Sequence, residues 1–400
     1  MDAATNPFAP GAGTQPPELT GREINLESAR VTIQRIKNGL HARSSLLIGL
    51  RGVGKTVLLN RIKTMAESEG YLTASIESPE DASLGALLAA PLRQMLLQLD
   101  GKAKAKQKIH EAMTALRNFA STFDIKIGDI GISVKKPGVA DSGTLANDLS
   151  DLLTAVGEAA KESQVPVAFF IDELQYVSEK ELGYLIGALH RVSQLNLPVV
   201  VFGAGLPQLA GLTGKAKSYA ERLFDFQTID RLGTSAAEAA IKEPIERQHV
   251  SIAPAALSAI VDTTEGYPYF LQEWGKHAWD VAAESPISVS DVSNAYSSAI
   301  AALDQAFFRV RFDRLTPGEK EYLRAMAELG PGPHRSGDIA NKLKRRVDQV
   351  APTRANVISK GMVYAPSYGD NAFTVPKFDE YMKRVMPKFV PTPVRKREKR

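Results

Sequence analysis

The chain has 400 residues, of which 44% are apolar and 24% charged, with a formal net charge of +4. At roughly 150 residues per domain this length suggests two or three folded units, and the composition excludes a fibrous or generally disordered chain. With no cysteine, the chain has no disulfide, no thiolate chemistry and no Cys-built zinc site. Its six histidines show no metal-ligand spacing, so no structural metal is expected.

Residues 1 to about 20, rich in Pro, Gly, Ala and Thr, read as a flexible extended arm. The N-terminus lacks both the basic head and the apolar core of a secretory signal. No later stretch reaches the roughly 18 uninterrupted apolar residues of a membrane helix. A cytoplasmic location is the expectation. Ile24, Leu26, Ala29, Val31, Ile33 and Ile36 recur near helical spacing, which predicts an amphipathic helix over 24–40.

The next segment is the most informative. Ser44 to Ile48 is a short apolar strand candidate, and Val57 to Ile62 opens a helix. Between them Gly49-Leu50-Arg51-Gly52-Val53-Gly54-Lys55-Thr56 spells G-x-x-x-x-G-K-[ST], a phosphate-binding loop in the required strand–loop–helix context. Gly49, Gly52 and Gly54 free the backbone to turn successive N–H groups toward a polyphosphate, an anion also favoured by the positive end of the following helix. Lys55 would reach the terminal phosphates and Thr56 would ligate Mg²⁺, with Val57 completing the nucleotide-binding stretch.

Tyr71 to Ile76 reads as a second strand, followed by a helical stretch from about Leu84 to Leu99. The charge run Ala103 to Lys108 is best read as a solvated helix face. Alternation with a Gly-Asp break over 123–135 predicts a hairpin inserted in the core, of unreadable function. Val165 to Glu173 is an apolar run ending in two carboxylates, as in a buried parallel strand that delivers acids to its C-terminal end, where open α/β sheets bind ligands. There Asp172 would hold Mg²⁺ and Glu173 would polarise the attacking water. The same run alone is often an incidental strand end; the upstream phosphate loop is what gives it meaning. A helix over 179–194 leads to a fourth apolar strand, Leu197 to Phe202, which ends in Gly203-Ala204-Gly205. The fold class expected is α/β: a three-layer P-loop core with a parallel sheet, spanning 21–233.

Beyond Thr234 only helical patterns remain, which predicts an all-helical lid over 234–311. Thr316-Pro317 suits a helix start. Two more helices and two brief strands, around 363 and 373, then predict a winged helix-turn-helix over 312–386, with a basic tail at 387–400. From Arg335 onward there are 16 Lys and Arg against 6 Asp and Glu, leaving the first 334 residues at 4 − 10 = −6. A positive end on a mildly acidic body is an arrangement for binding a polyanion. Lys344, Arg345, Arg346, Arg354 and Lys360, with Tyr368 at the wing tip, are the candidate contacts to double-stranded DNA; a solvated basic face is the alternative. The tail is either a non-specific nucleic-acid arm or a solubilising end.

Taken together, these residues resemble the AAA+ and signal-transduction (STAND) ATPases that carry a C-terminal winged helix, a group that includes origin-recognition initiators. The resemblance spans roughly 17–386. It rests on Thr20-Gly21-Arg22-Glu23, the phosphate loop, Phe170-Ile171-Asp172-Glu173, and Gly266-Tyr267-Pro268. It implies ATP bound with Mg²⁺, Arg22 and Pro268 near the nucleotide, and a Mg-dependent ATPase acting as a slow switch. It also implies that Arg222 contacts the γ-phosphate and stabilises developing charge; an ordinary surface arginine is the other reading. The sequence departs from the group at Phe202-Gly203-Ala204, where many members have a polar sensor residue, and no clear arginine follows Gly266-Tyr267-Pro268. Three functions stay open: an ATP-controlled DNA-binding switch, a signalling ATPase whose winged helix and lid bind protein partners or a second copy, and, less favoured, a small-molecule kinase.

Overall fold

The computed structural model describes residues 1–11, 13, 16–80, 83–99, 105–126 and 138–392. They form two compact units, one of Arg22–Gly49 with Lys55–Ile229, the other of Met1–Gly21, Leu50–Gly54 and the chain from Asp230 onward.

The first unit is a three-layer α/β domain. Its elements in chain order are α1 (Glu23–Lys37), β1 (Ser44–Ile48), α2 (Lys55–Ser68), β2 (Leu72–Glu77), α3 (Leu84–Leu99), α4 (Lys106–Thr122), α5 (Leu145–Ser163), β3 (Val167–Asp172), α6 (Glu179–Gln194), β4 (Val199–Gly205), α7 (Gln208–Ala216), α8 (Ala220–Leu223) and β5 (Phe224–Thr228). The strands form one sheet in the order β2-β3-β4-β1-β5, every pairing parallel. Strands covered on both faces read as continuous apolar runs, which is why β3 and β4 stand out in the sequence. Val167, Phe169, Ile171, Val199 and Val201 share a core with α3 to α6. The intervening Phe170 and Phe202, their rings stacked at 5.2 Å, lie on the other side of the pleat, and α2 also packs on β3 and β4.

Two features go beyond the sequence reading. A fifth strand, β5, flanks β1; it is a five-residue edge strand, half-exposed and carrying Asp225 and Gln227, too short and polar to announce itself. The charge run at 103–108 leads into α4, whose opposite face buries Ile109, Leu116 and Phe119. Residues 127–135 of the hairpin expected over 123–135 lie outside the described residues. The tail beyond 392 lies outside them too.

The second unit contains a helical domain, α9 (Thr234–Arg247), α10 (Pro254–Thr264), α11 (Pro268–Val281), α12 (Val289–Ala302), a π-helical turn Leu303–Phe308 and α13 (Arg309–Asp313). It continues as α14 (Pro317–Glu328), β6 (His334–Arg335), α15 (Ser336–Lys342), α16 (Val347–Ser359), β7 (Val363–Tyr364), β8 (Asp370–Phe373) and α17 (Phe378–Val385). Three helices with an antiparallel sheet in the order β6-β8-β7 make a winged helix-turn-helix, to which β6 and α17 are additions to the expected elements. Phe308 stacks on Tyr381 at 5.1 Å and meets Phe378, so the helical domain and the winged helix share one core.

The N-terminal arm is a correction to the sequence reading. Its first residues are docked on α11: the Trp279 indole donates to Asp2 O, Asn6 Nδ2 donates to Lys276 O and Asp280 Oδ1, and Phe8 is buried. A Cβ on Gly275 would lie 2.8 Å from the Phe8 ring, so the slot exists because α11 has no side chain there. Composition suggested a flexible extended arm; one aromatic against one helical glycine decided otherwise for its first residues.

Candidate functional site

β1 carries Leu46, Leu47 and Ile48 in full burial to the start of the loop, where Gly49 N–H donates to Gly205 O at the tip of β4. Gly52 and Gly54 take φ of +79° and +90°, a region that a side chain disfavours. α2 begins at Lys55, which is buried with its ammonium 3.0 Å from Gly49 O. Thr56 Oγ1 donates to Asp172 Oδ2 at 2.5 Å, and the other carboxylate oxygen of Asp172 accepts from Glu173 N–H at 2.8 Å. Burial pushes the Asp172 carboxyl above its ordinary range, against the hydrogen bonds from Thr56 and Glu173 that pull it down. Lys55, Thr56, Asp172 and Glu173 are thus brought to the C-terminal edge of one sheet.

The donor set suits Mg²⁺. A hydroxyl and a carboxylate within 2.5 Å are hard oxygen ligands, and a pair of them leaves further coordination positions for phosphate oxygens and water.

Loop residues Leu50–Gly54 group with the second unit. Arg51 N–H donates to Thr374 O at 2.9 Å, beyond β8, and Gly52 O accepts from Tyr269 N–H at 3.2 Å, in the first turn of α11. Phe307 also packs on the loop, since a Cβ on Gly52 would lie 3.2 Å from its ring. Gly266, at φ +73°, is held where a Cβ would sit 2.4 Å from Leu232 O, and its own carbonyl accepts from Leu232 N–H. That contact sets where Pro268 starts α11.

Glu173 has φ 54° and ψ 35°, and its carboxylate accepts a hydrogen bond from Gln175 Nε2. Gln175, in the short 3-10 turn Leu174–Tyr176, was not singled out from the sequence. A glutamine two residues past the acid pair was the available signal.

One expected residue, Arg222, is not brought to the site. α8 leads directly into β5, whose first residue Phe224 pairs with Ser44, the first of β1. β1 has five residues at about 3.3 Å each, so Arg222 stands at the opposite end of the sheet from the loop, on the order of 16 Å away. There it lines a depression with Glu27, Arg35, Arg43 and Asp225. The expectation that Arg222 meets the γ-phosphate is corrected for the nucleotide on its own loop. Arg22 is buried at the start of α1 in the first unit, whereas Pro268 is the first residue of α11 in the second.

In the winged helix the basic residues divide. Arg345 pairs with Glu321 at 2.9 Å, Lys360 with Glu319 at 2.7 Å, and Arg354 donates to Asn371 Oδ1 and Asp370 O. These three are committed to the fold, a correction to their reading as DNA contacts. Lys344 and Arg346 are exposed at the turn between α15 and α16, Arg346 with Asp348 at 2.7 Å, and Tyr368 is fully exposed at the wing tip.

The five-stranded parallel order, the loop after β1 and the acids at the end of β3 are the arrangement of a P-loop α/β domain. Residues 18–202 match the AAA ATPase domain model, and residues 305–382 match a domain of unknown function, DUF8462. An uncharacterized HTH-type transcriptional regulator of Methanocaldococcus jannaschii, MJ0774, is 22% identical over 347 residues, 82% of this chain and 80% of that one. The Walker-type ATPase PABY2304 of Pyrococcus abyssi shares the fold at a TM-score of 0.57 and 15% identity, covering 92% of this chain and 97% of its own. Cdc6p from Pyrobaculum aerophilum is similar at a TM-score of 0.47 and 13% identity, covering 97% and 98%. Among the described residues no helix is long and apolar enough to cross a membrane.

Proposed function

We propose that the chain is an ATP-hydrolysing switch whose nucleotide state is passed to its winged helix, and that the winged helix binds duplex DNA. Lys55 exchanges Gly49 O for the terminal phosphate oxygens. Thr56 and Asp172 would hold Mg²⁺, which would supply positive charge to the phosphates of the nucleotide. Glu173 takes the proton of the attacking water as its oxygen bonds to the γ-phosphorus and the bond to the bridging oxygen breaks. Arg222 has no part in this sequence within one chain; any phosphate it contacts belongs to a neighbouring copy.

The observation that carries the coupling is the double tether of the loop, Arg51 N–H on Thr374 O and Gly52 O on Tyr269 N–H. A loop that closes its backbone around phosphates cannot do so without acting on these two bonds, and they end in the winged helix and in α11. The DNA half of the reading is supported by the basic C-terminal segment, by Lys344 and Arg346, and by the name of the 22% identical relative.

A second reading, docking of a protein partner, is favoured by α16 itself. Its exposed residues Val347, Asp348, Gln349, Ala351, Pro352, Ala355, Asn356 and Ser359 include no Lys or Arg. Fluorescence anisotropy with a labelled duplex at 50 mM salt separates the two. Binding that weakens steeply by 200 mM salt is expected; no binding at 50 mM salt gives the site to a protein. For the ATPase, Lys55→Ala should lose ATP uptake in calorimetry, and Glu173→Gln should bind ATP without releasing phosphate.

A further inference from the structure

β4 ends beside the acid tip of β3 without a single polar side chain: Val199-Val200-Val201-Phe202-Gly203-Ala204-Gly205. The two glycines are not idle. A Cβ on Gly203 would lie 2.4 Å from Leu174 Cδ1 and 2.6 Å from Leu46 Cδ2, and one on Gly205 would lie 2.7 Å from Leu209 Cδ2 and 2.9 Å from Gln175 Oε1. Side chains of the turn after β3 therefore fill the space in which β4 would otherwise place its own.

Gln175 is buried there, and both ends of its amide are used. Oε1 accepts from Leu206 N–H at 2.9 Å, just beyond the tip of β4, and Nε2 donates to Glu173 Oε2. The first bond fixes the second. A backbone N–H can meet only the amide oxygen, so the NH₂ must face the carboxylate and the flip of the amide is not free.

We propose that Gln175 is the positioning residue for Glu173, supplying from the turn after β3 the polar contact at the end of β4 that the strand itself lacks. The amide ties the water-activating carboxylate to the backbone of Leu206, so that Glu173 is held at the sheet edge beside Asp172. A charge-assisted hydrogen bond from a buried amide that cannot rotate orients a carboxylate more tightly than solvent would. This inference rests on the ATPase reading of Glu173.

The test compares wild type, Glu173→Gln, Gln175→Leu and Gln175→Glu by phosphate release and by ATP calorimetry. Gln175→Leu removes both bonds; kcat should fall by about 10- to 100-fold, the cost of a misplaced catalytic group, with the ATP Kd within about two-fold of wild type. Gln175→Glu keeps the acceptor for Leu206 but sets a second carboxylate against Glu173. The two like charges push Glu173 out of place, so kcat should again fall by about 10-fold or more while the ATP Kd stays within about two-fold of wild type. The ATPase reading itself fails if wild type releases no phosphate or if Glu173→Gln releases it at the wild-type rate. If those two behave as expected while both Gln175 variants keep wild-type kcat, or gain activity, the positioning role alone is overturned. Loss of ATP binding in both Gln175 variants also overturns it, since a residue acting only through Glu173 leaves binding intact.

Discussion

Thr56 and Asp172, 116 positions apart in sequence, meet through a hydrogen bond of 2.5 Å that joins the first turn of α2 to the last residue of β3. It brings Thr56 and the acidic end of β3 together.

Asp172→Asn separates the two duties of that carboxylate. Burial already disfavours its ionised form, so the neutral amide should leave the melting temperature of the nucleotide-free protein unchanged or raise it by a few degrees. The extra ATP affinity conferred by Mg²⁺ should disappear. Calorimetry with and without Mg²⁺ decides; a variant that still binds ATP more tightly with Mg²⁺ removes Asp172 from the metal site.

Phe8→Ala empties the slot over Gly275. Truncating a buried phenylalanine costs about 3–5 kcal/mol, and the loss should fall on the second unit. Hydrogen exchange should show α11 amides opening faster. Unchanged protection along α11 would mean that the N-terminal segment contributes nothing to its stability.

Glu319 caps α14, accepting from Thr316 N–H at 2.8 Å and from Lys360 Nζ at 2.7 Å. Burial pushes its carboxyl up, but the hydrogen bonds from Lys360 and Thr316 outweigh this and hold it below the usual range. A depressed folded value contributes stability that is present above the unfolded value near 4.3 and is lost as pH falls through the folded value. Glu319→Gln should therefore cost about 1–2 kcal/mol at pH 7, with the difference from wild type closing below about pH 4. Urea unfolding at the two pH values measures it, and a cost that is the same at both would contradict the assignment.

The basic residues of the winged helix should respond in two ways. Lys344→Ala and Arg346→Ala should weaken duplex binding and lower its salt dependence without changing the melting temperature. Arg354→Ala, which leaves the buried Asn371 short of a donor, should destabilise by about 1–3 kcal/mol. Equal effects of all three on DNA affinity, with none on stability, would return Arg354 to the set of phosphate contacts.

Much of this molecule is legible in one dimension because the signals are local. The loop from Gly49 to Thr56 is a run of eight residues whose spelling follows from backbone freedom and phosphate charge. β3 and β4 are legible because burial on both faces requires an unbroken apolar run. β5 was not, since an edge strand with polar residues carries no such run. The charges at Arg345, Arg354 and Lys360 look alike in sequence to those at Lys344 and Arg346. What separates them is the presence of Glu321, Asn371 and Glu319, each 17 to 41 residues away.

The sequence by itself determined what each segment offers: a glycine-rich loop ending in Lys55-Thr56, an apolar strand ending in Asp172-Glu173, and a basic C-terminal end, because each needs fixed residue types at short range. Tertiary structure alone decided which groups are available for that chemistry. It set Arg222 at the far end of β1, spent three cations on internal carboxylates and amides, seated Phe8 on Gly275, and locked Gln175 between Leu206 and Glu173. The reason is physical. Local spacing fixes what a segment offers, whereas burial and hydrogen-bond saturation, which settle what remains to be used, depend on partners that only the folded chain brings within reach.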